Sequence, residues 1–232
     1  MNVRYLFVVS LLLFPIASTT ALGQAVYRVD FDATWSESTH PGNYPNGAHF
    51  SPLIGATHDS STVFWEPNGI ATPGIELMAE TGGTSIFRDE INAAAGTDQL
   101  LQGSGPDSPG SASIEFDANA NASLLTLVTM IAPSPDWFVG VSGFDLRPNG
   151  TWIDSASIDL FAYDAGTDSG PGFTSPNEDT SPAETIVLQD IPLGDTPKMG
   201  TYTITLLSVP EPNAGFALGV AGMLLMITRR RR

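Results

Sequence analysis

Between Tyr27 and Trp35 every second residue is apolar: Tyr27, Val29, Phe31, Ala33 and Trp35 share one face, while Arg28, Asp30, Asp32 and Thr34 share the other. A period of two fits a strand buried on one side and solvated on the other, and no helix satisfies it. The alternation returns at Ala112, Ile114 and Phe116, at Ile158, Leu160 and Ala162, and at Tyr202, Ile204 and Leu206. Residues 124–132 and 137–146 are more continuously apolar, which predicts strands near the centre of a sheet. A brief strand is expected at 62–66, and a long loop over 39–52, where Gly, Pro, Asn and His dominate. Residues 76–80 and 85–95 have helical composition and read as short decorations. With 23 Gly and 18 Pro to make turns, the pattern predicts an all-β fold: an antiparallel β-sandwich with short helical decorations, in one domain over residues 24–207.

The two ends of the chain read as addresses. Arg4 precedes an apolar run over 5–17, and Ala21-Leu22-Gly23 offers a small-x-small cleavage site, so residues 1–23 are expected to be a secretory signal peptide. Residues 208–232 contain Val209-Pro210-Glu211-Pro212, an apolar run over 214–228 and four closing arginines, Arg229 to Arg232. A permanent span needs about 20 apolar residues, so this run is short for one, and the arginines would stay cytoplasmic. Pro-Glu-Pro, then a short hydrophobic helix, then an arginine cluster resembles the PEP-CTERM sorting tail of Gram-negative bacteria. The resemblance implies export, a transient inner-membrane anchor through the C-terminal helix, and processing by an exosortase-like enzyme. The body would then reside at the cell surface or in the extracellular matrix.

Charge narrows the partners. The chain has 25 acidic and 9 basic residues, a net of −16. All 25 acids lie within 24–212, where Arg28, Arg88, Arg147 and Lys198 are the only bases, leaving a net of −21 there. Nucleic acid is excluded as a partner, because a phosphate backbone needs clustered Lys and Arg. The absence of cysteine excludes disulfides, thiolate metal sites and cysteine nucleophiles. Such a body suits divalent cations, although a solvated acidic surface has the same composition.

Two segments carry candidate chemistry. In Pro133-Ser134-Pro135-Asp136, two prolines fix a turn and Asp136 emerges between two apolar strands. Further on, Asp164 and Asp168 flank a turn at Gly166. Carboxylates on loops at one end of a sandwich make an oxygen-rich cluster, and calcium takes about 6–8 oxygens from carboxylates, carbonyls and water. Asp164 and Asp168 equally suit a turn-capping role. His40, His49 and His58 recur at nine-residue intervals that match no common zinc spacing, and read as loop-packing residues. Ser134 has no histidine in a triad pattern. Catalysis is therefore not expected, with a carboxylate-dependent hydrolase on Asp136 and Asp164 as a remote alternative. Trp35 and Trp137 read as core. Trp152, beside the turn signal Asn149-Gly150, is the tryptophan best suited to an exposed ligand-binding surface.

The stretches FDATWSESTHPGNYPNGAHFSPLIGATHDSS, MIAPSPDWFVGVSGFDL, LFAYDAGTDSG and FTSPN resemble the spondin domain of the F-spondin and mindin type, over residues 27–205. The resemblance implies a sandwich like that of calcium-dependent lipid-binding domains, one bound calcium, and a role in adhesion and recognition. It implies Asp136 and Asp164 as calcium ligands, with Asp168 in the turn or behind them. The third ligand is Glu115 if residues 117–122 hold a two-residue insertion, and Asp117 otherwise. The animal proteins carry a cysteine just after the Phe-Asp-Leu element, where this chain has Arg147. The expected function is a secreted or cell-surface calcium-binding adhesion module whose protein or polysaccharide ligand stays open. A carbohydrate-binding module of an exopolysaccharide matrix is the alternative.

Overall fold

The computed structural model describes residues 23–41, 44–189 and 198–209. The first strand, β1 (Ala25–Ala33), is followed by β2 (His49–Phe50), β3 (Ile54–His58), helices α1 (Pro73–Thr81) and α2 (Ser85–Ala93), β4 (Thr97–Gln102), β5 (Gly110–Ala118), β6 (Leu124–Ala132) and β7 (Trp137–Asp145). Then come β8 (Ser155–Phe161), β9 (Tyr163–Asp164), β10 (Val187–Leu188) and β11 (Lys198–Ser208). They form two antiparallel sheets. One has the order β5-β1-β11-β8; the other runs β10-β9-β7-β6-β3-β4, with β2 also paired to β6. The all-β sandwich with two short helices is the architecture expected from the alternation.

The period-two pattern of β1 explains its central place. Tyr27 lies opposite Phe116 on β5 and Leu206 on β11, and Phe31 opposite Ala112 and Tyr202. Tyr27, Val29, Phe31 and Trp35 are fully buried between the sheets, together with Leu125, Leu127, Trp137, Val139 and Ile204. Phe31 meets Phe50 and Tyr202 edge-on, with ring centroids 4.8 and 5.2 Å apart. The Tyr27 hydroxyl donates to the carbonyl of Ile153 at 2.8 Å, which ties the β7–β8 connection to the first sheet.

A second apolar layer covers the far face of the larger sheet. Ile75 and Met78 of α1 and Phe87 and Ile91 of α2 pack on Ile54, Ala56, Val128, Met130 and Phe138. Strand β6 is therefore buried on both faces, Leu125 and Leu127 on one side and Val128 and Met130 on the other, which explains its continuous apolar run. Helix α1 starts at Pro73, with the Thr72 hydroxyl accepting the N–H of Ile75 at 3.2 Å. Glu90 of α2 reaches back to accept the N–H of Gly74 at 2.8 Å and the Thr72 hydroxyl at 2.7 Å.

Several expectations are corrected. Residues 62–66 are not a strand; Phe64 and Trp65 turn inward, edge-on to Phe87 at 5.7 Å and Phe138 at 5.0 Å. The alternation at Ile158, Leu160 and Ala162 does not stay within one strand: β8 ends at Phe161 in one sheet and β9 begins at Tyr163 in the other, so the chain crosses the sandwich at Ala162. Asn149 and Gly150 do turn the chain, both at positive φ (56° and 79°), but they link strands of different sheets instead of closing a hairpin. Among the described residues no helix is long and apolar enough to cross a membrane. The expected signal peptide over 1–23 and the expected sorting tail over 208–232 lie outside the described residues, except for residues 23, 208 and 209.

Candidate functional site

The β6–β7 turn places Asp136 at the edge of the core. The Ser134 hydroxyl accepts the N–H of Trp137 at 3.0 Å and fixes the turn. Trp137 then pairs with Asp164, which brings the start of β7 against β9, and the N–H of Ala165 donates to the carbonyl of Asp136 at 3.2 Å. Sheet pairing alone thus sets Asp136 beside Asp164.

The Asp136 side chain is fully buried. Its Oδ2 accepts the N–H of Thr167 at 2.8 Å, the Thr167 hydroxyl at 3.3 Å and the N–H of Asp168 at 3.1 Å. Its Oδ1 is equally buried and has no hydrogen-bond partner. Burial pushes the Asp136 carboxyl up to about 6, and the neighbouring Asp164 charge adds to the rise. The two backbone N–H groups pull in the opposite direction.

Asp164 is half-buried and accepts the N–H of Gly166 at 2.9 Å. Burial raises its carboxyl too; the Gly166 N–H opposes this, while the charges of Glu184 and Asp168 reinforce it. Asp168 caps its own turn, accepting the N–H of Gly170 at 2.7 Å and that of Glu178 at 3.2 Å. The loop beyond folds back in register, with Thr180 donating to the Thr167 carbonyl and Glu184 to that of Gly166, both at 2.8 Å. From α1, Glu80 adds a carboxylate on the Asp168 side. Burial raises it, the nearby Thr167 hydroxyl lowers it, and Glu76, Asp168 and Asp179 raise it again.

Among the described residues these acids have no ion-pair partner: the ion pairs Arg28–Asp30, Arg88–Asp89 and Lys198–Asp159 use other carboxylates. A buried carboxylate oxygen without a donor, next to a second carboxylate, is an environment in which a cation would offset the cost of the charge.

Of the expected ligands, Asp136 and Asp164 are brought together and Glu115 is not. Glu115 sits on β5, on the exposed face of the other sheet, directly opposite Arg28. Asp117 shares that exposed face, opposite Val26. Among the described residues no group of three or more His, Cys, Asp or Glu side chains is arranged to hold a metal ion. Thr167, Glu80 and Glu184 were missed by sequence reasoning. The Gly-Thr-Asp run after Asp164 was a signal for Thr167, since two N–H groups beyond a glycine turn commonly converge on one acceptor. Nothing local pointed to Glu80 or Glu184.

The histidines are separate. His58 is buried between the Asp59 carbonyl at 2.9 Å and the Thr126 hydroxyl at 2.8 Å. His40 is buried against the Thr39 hydroxyl at 2.9 Å, and His49 is exposed on β2. Trp152 is not the exposed platform expected. It is half-buried, 6.0 Å from the Tyr27 ring and covered by the Arg147 guanidinium at 5.6 Å. Trp35, Trp65 and Trp137 are all buried.

A family model described as Spondin_N matches residues 25–208. Spondin-1 of Rattus norvegicus is 38% identical over 184 residues, which cover 74% of this chain and 23% of that protein. Spondin-2 of Homo sapiens is 38% identical over 179 residues, covering 74% of this chain and 54% of the relative. Spondin-2 of Rattus norvegicus is 35% identical over 199 residues, covering 82% and 60%. The chain thus spans about a quarter of the length of Spondin-1 and over half that of Spondin-2. The family match begins at the first residue of β1 and ends at the last residue of β11, so it takes in both sheets and the acidic turn between them; the chain belongs to the Spondin_N family.

Proposed function

We propose that this domain is an exported calcium-binding recognition module, with Asp136 and Asp164 as the carboxylates that hold the cation. The observation that carries the reading is Asp136 Oδ1, buried without a partner beside a second carboxylate. The donor set fits a hard cation: oxygens only, two of them from adjacent carboxylates, with backbone carbonyls and water left to complete the shell. Calcium would supply the positive charge that these side chains lack, and would tie the β6–β7 turn to the loop after β9. Glu115 and Asp117 have no part in this arrangement.

Recognition at the cell surface or in the extracellular matrix accords with the family. The expected route is a signal peptide at 1–23 and an exosortase-like enzyme acting on the tail at 208–232. The deciding experiment compares thermal melting in millimolar calcium and in chelator, for the unaltered chain and for Asp136→Asn, Asp164→Asn and Glu115→Gln. A ligand at 100 times its Kd stabilises by about 2.7 kcal/mol, which at this chain length is a rise of roughly 5–10 °C. The rise should vanish in the first two variants and persist in Glu115→Gln. No rise in the unaltered chain would sink the cation reading, and loss of the rise in Glu115→Gln would show that the third carboxylate comes from β5.

A further inference from the structure

We propose that the groove between β7 and β8 binds an extended segment of a basic partner polypeptide by strand addition. The proposal does not rest on the cation site. The sandwich is closed along one side, where the Asp117 N–H donates to Gln99 at 3.0 Å and links β5 to β4. Along the opposite side β7 and β8 also approach each other, but with an open groove between them. Ile158 and Phe144 pack against the core yet stay half-buried, and Phe161 is 40% exposed. Between them lies an open groove of about 330 Å³, lined by Trp65, Val141, Phe144, Ile158, Phe161 and Tyr163.

The backbone decides what fits there. Strand β8 is the last of its sheet, so its outer edge has no strand partner among the described residues. Strand β9 covers only Trp137 and Phe138 of β7, so β7 from Val139 to Asp145 also lacks a strand partner on that side among the described residues. Two strand edges without strand partners among the described residues flank one largely apolar groove, with the Ser142 hydroxyl on the β7 side donating to the Trp65 carbonyl. An edge of unpaired N–H and C=O groups is a template for another extended chain, and strand addition draws affinity from such an edge and specificity from the pockets beside it.

Sugar is the less apt occupant. The rings are engaged with each other, Trp65 edge-on to Tyr163 at 4.9 Å and Tyr163 stacked on Phe138 at 5.7 Å, and do not form a free flat platform. Charge selects the kind of peptide. The region 24–212 carries a net of −21, so basic chains are attracted and acidic ones repelled; on the groove rim itself Asp159 is paired with Lys198 and adds no net charge.

The test uses fluorescence anisotropy with a labelled heptapeptide of alternating valine and lysine, matched to the seven residues of β8. Saturable binding is expected, unchanged by chelator and weakened at least tenfold by N-methylation of alternate peptide nitrogens. Replacing lysine by glutamate in the peptide should abolish it. Phe161→Asp and Ile158→Lys should each weaken it tenfold or more, with melting curves reporting that the variants are folded. Hydrogen exchange of the β8 amides should slow on binding, a readout that needs no variant. No binding at millimolar peptide, binding indifferent to N-methylation, or displacement of the peptide by a neutral hexasaccharide would each overturn the proposal.

Discussion

Asp136 and Thr167 are joined at 2.8 Å across 31 positions of sequence, carboxylate to backbone N–H. The bond makes the loop after β9 an extension of the β6–β7 turn. It also leaves one oxygen of a buried carboxylate satisfied and the other bare. That asymmetry sets how this end of the sandwich responds to protons, and it is the basis of the proposed cation site.

The first prediction concerns pH. The folded Asp136 carboxyl stands at about 6, above its ordinary value of 3.8. Below the lower value the group is neutral in both states, and above the higher it is charged in both. Between them the folded state holds the extra proton, so this group's contribution to stability falls as pH rises from about 4 to about 6. A rise of this size in a buried carboxyl corresponds to roughly 3 kcal/mol. Urea melts in chelator at pH 4, 5, 6 and 7 should show that decline, and Asp136→Asn should flatten it. If Asp136 holds calcium as proposed, the cation would compete with the proton, and the decline should be absent in millimolar calcium.

The second prediction concerns the turn itself. Gly166 has φ +75°, and a Cβ there would meet the Glu184 carbonyl at 2.6 Å. Gly166→Ala therefore faces both left-handed backbone strain, about 1–2 kcal/mol, and a collision with the strand-like return of the loop. Denaturant midpoints should fall by more than the strain alone predicts, and calcium affinity should fall with them, because the collision lies between Asp164 and Thr167.

The alternation at β1, β5, β8 and β11 made the first sheet legible, since each of those strands is buried on one side only. Strand β3 was not legible: all five residues of Ile-Gly-Ala-Thr-His are buried, so no alternation marks them. Gly55 is small there because a Cβ would sit 1.9 Å from the Thr126 carbonyl, a constraint that only the neighbouring strand imposes. Phe64 and Trp65 looked like strand and instead turn inward, Phe64 against Phe87 of α2 and Trp65 against Phe138 and Tyr163. At the site, Asp136 and Asp164 could be paired from the segments that carry them, because one strand pairing brings both together. Glu80 could not, because its place depends on how α1 lies on the larger sheet. The family resemblance offered Glu115, but the register of β5 on β1 puts it opposite Arg28 on the solvent face.

The third prediction tests the tie at the β7–β8 connection. The Tyr27 hydroxyl donates to Ile153 at 2.8 Å, and burial raises its pKa to about 12, with Asp154 adding to the rise. Tyr27→Phe keeps the packing and leaves the Ile153 carbonyl without this donor. A buried hydrogen bond of this kind contributes about 1 kcal/mol. The expected loss is of that size at every pH up to 9, measured by urea denaturation, with no change in the calcium-dependent shift.

The fourth prediction concerns how the acidic loop is held when no cation helps. Phe173 lies in that loop, 8% exposed. Its ring sits 5.1 Å from Trp35 and 4.9 Å from Trp137, so one side chain staples the loop to the core between the sheets. Truncating a buried phenylalanine costs about 3–5 kcal/mol, and here part of that cost is loosening of the segment that carries Thr167 and Asp168. In chelator, Phe173→Ala should lower the denaturation midpoint by this amount and alter tryptophan emission, because Trp35 and Trp137 lose their shared cover. In calcium the deficit should grow, since a loosened loop would bind the cation less tightly and gain less from it. An equal deficit in both conditions would show that Phe173 and the cation hold different parts of the molecule.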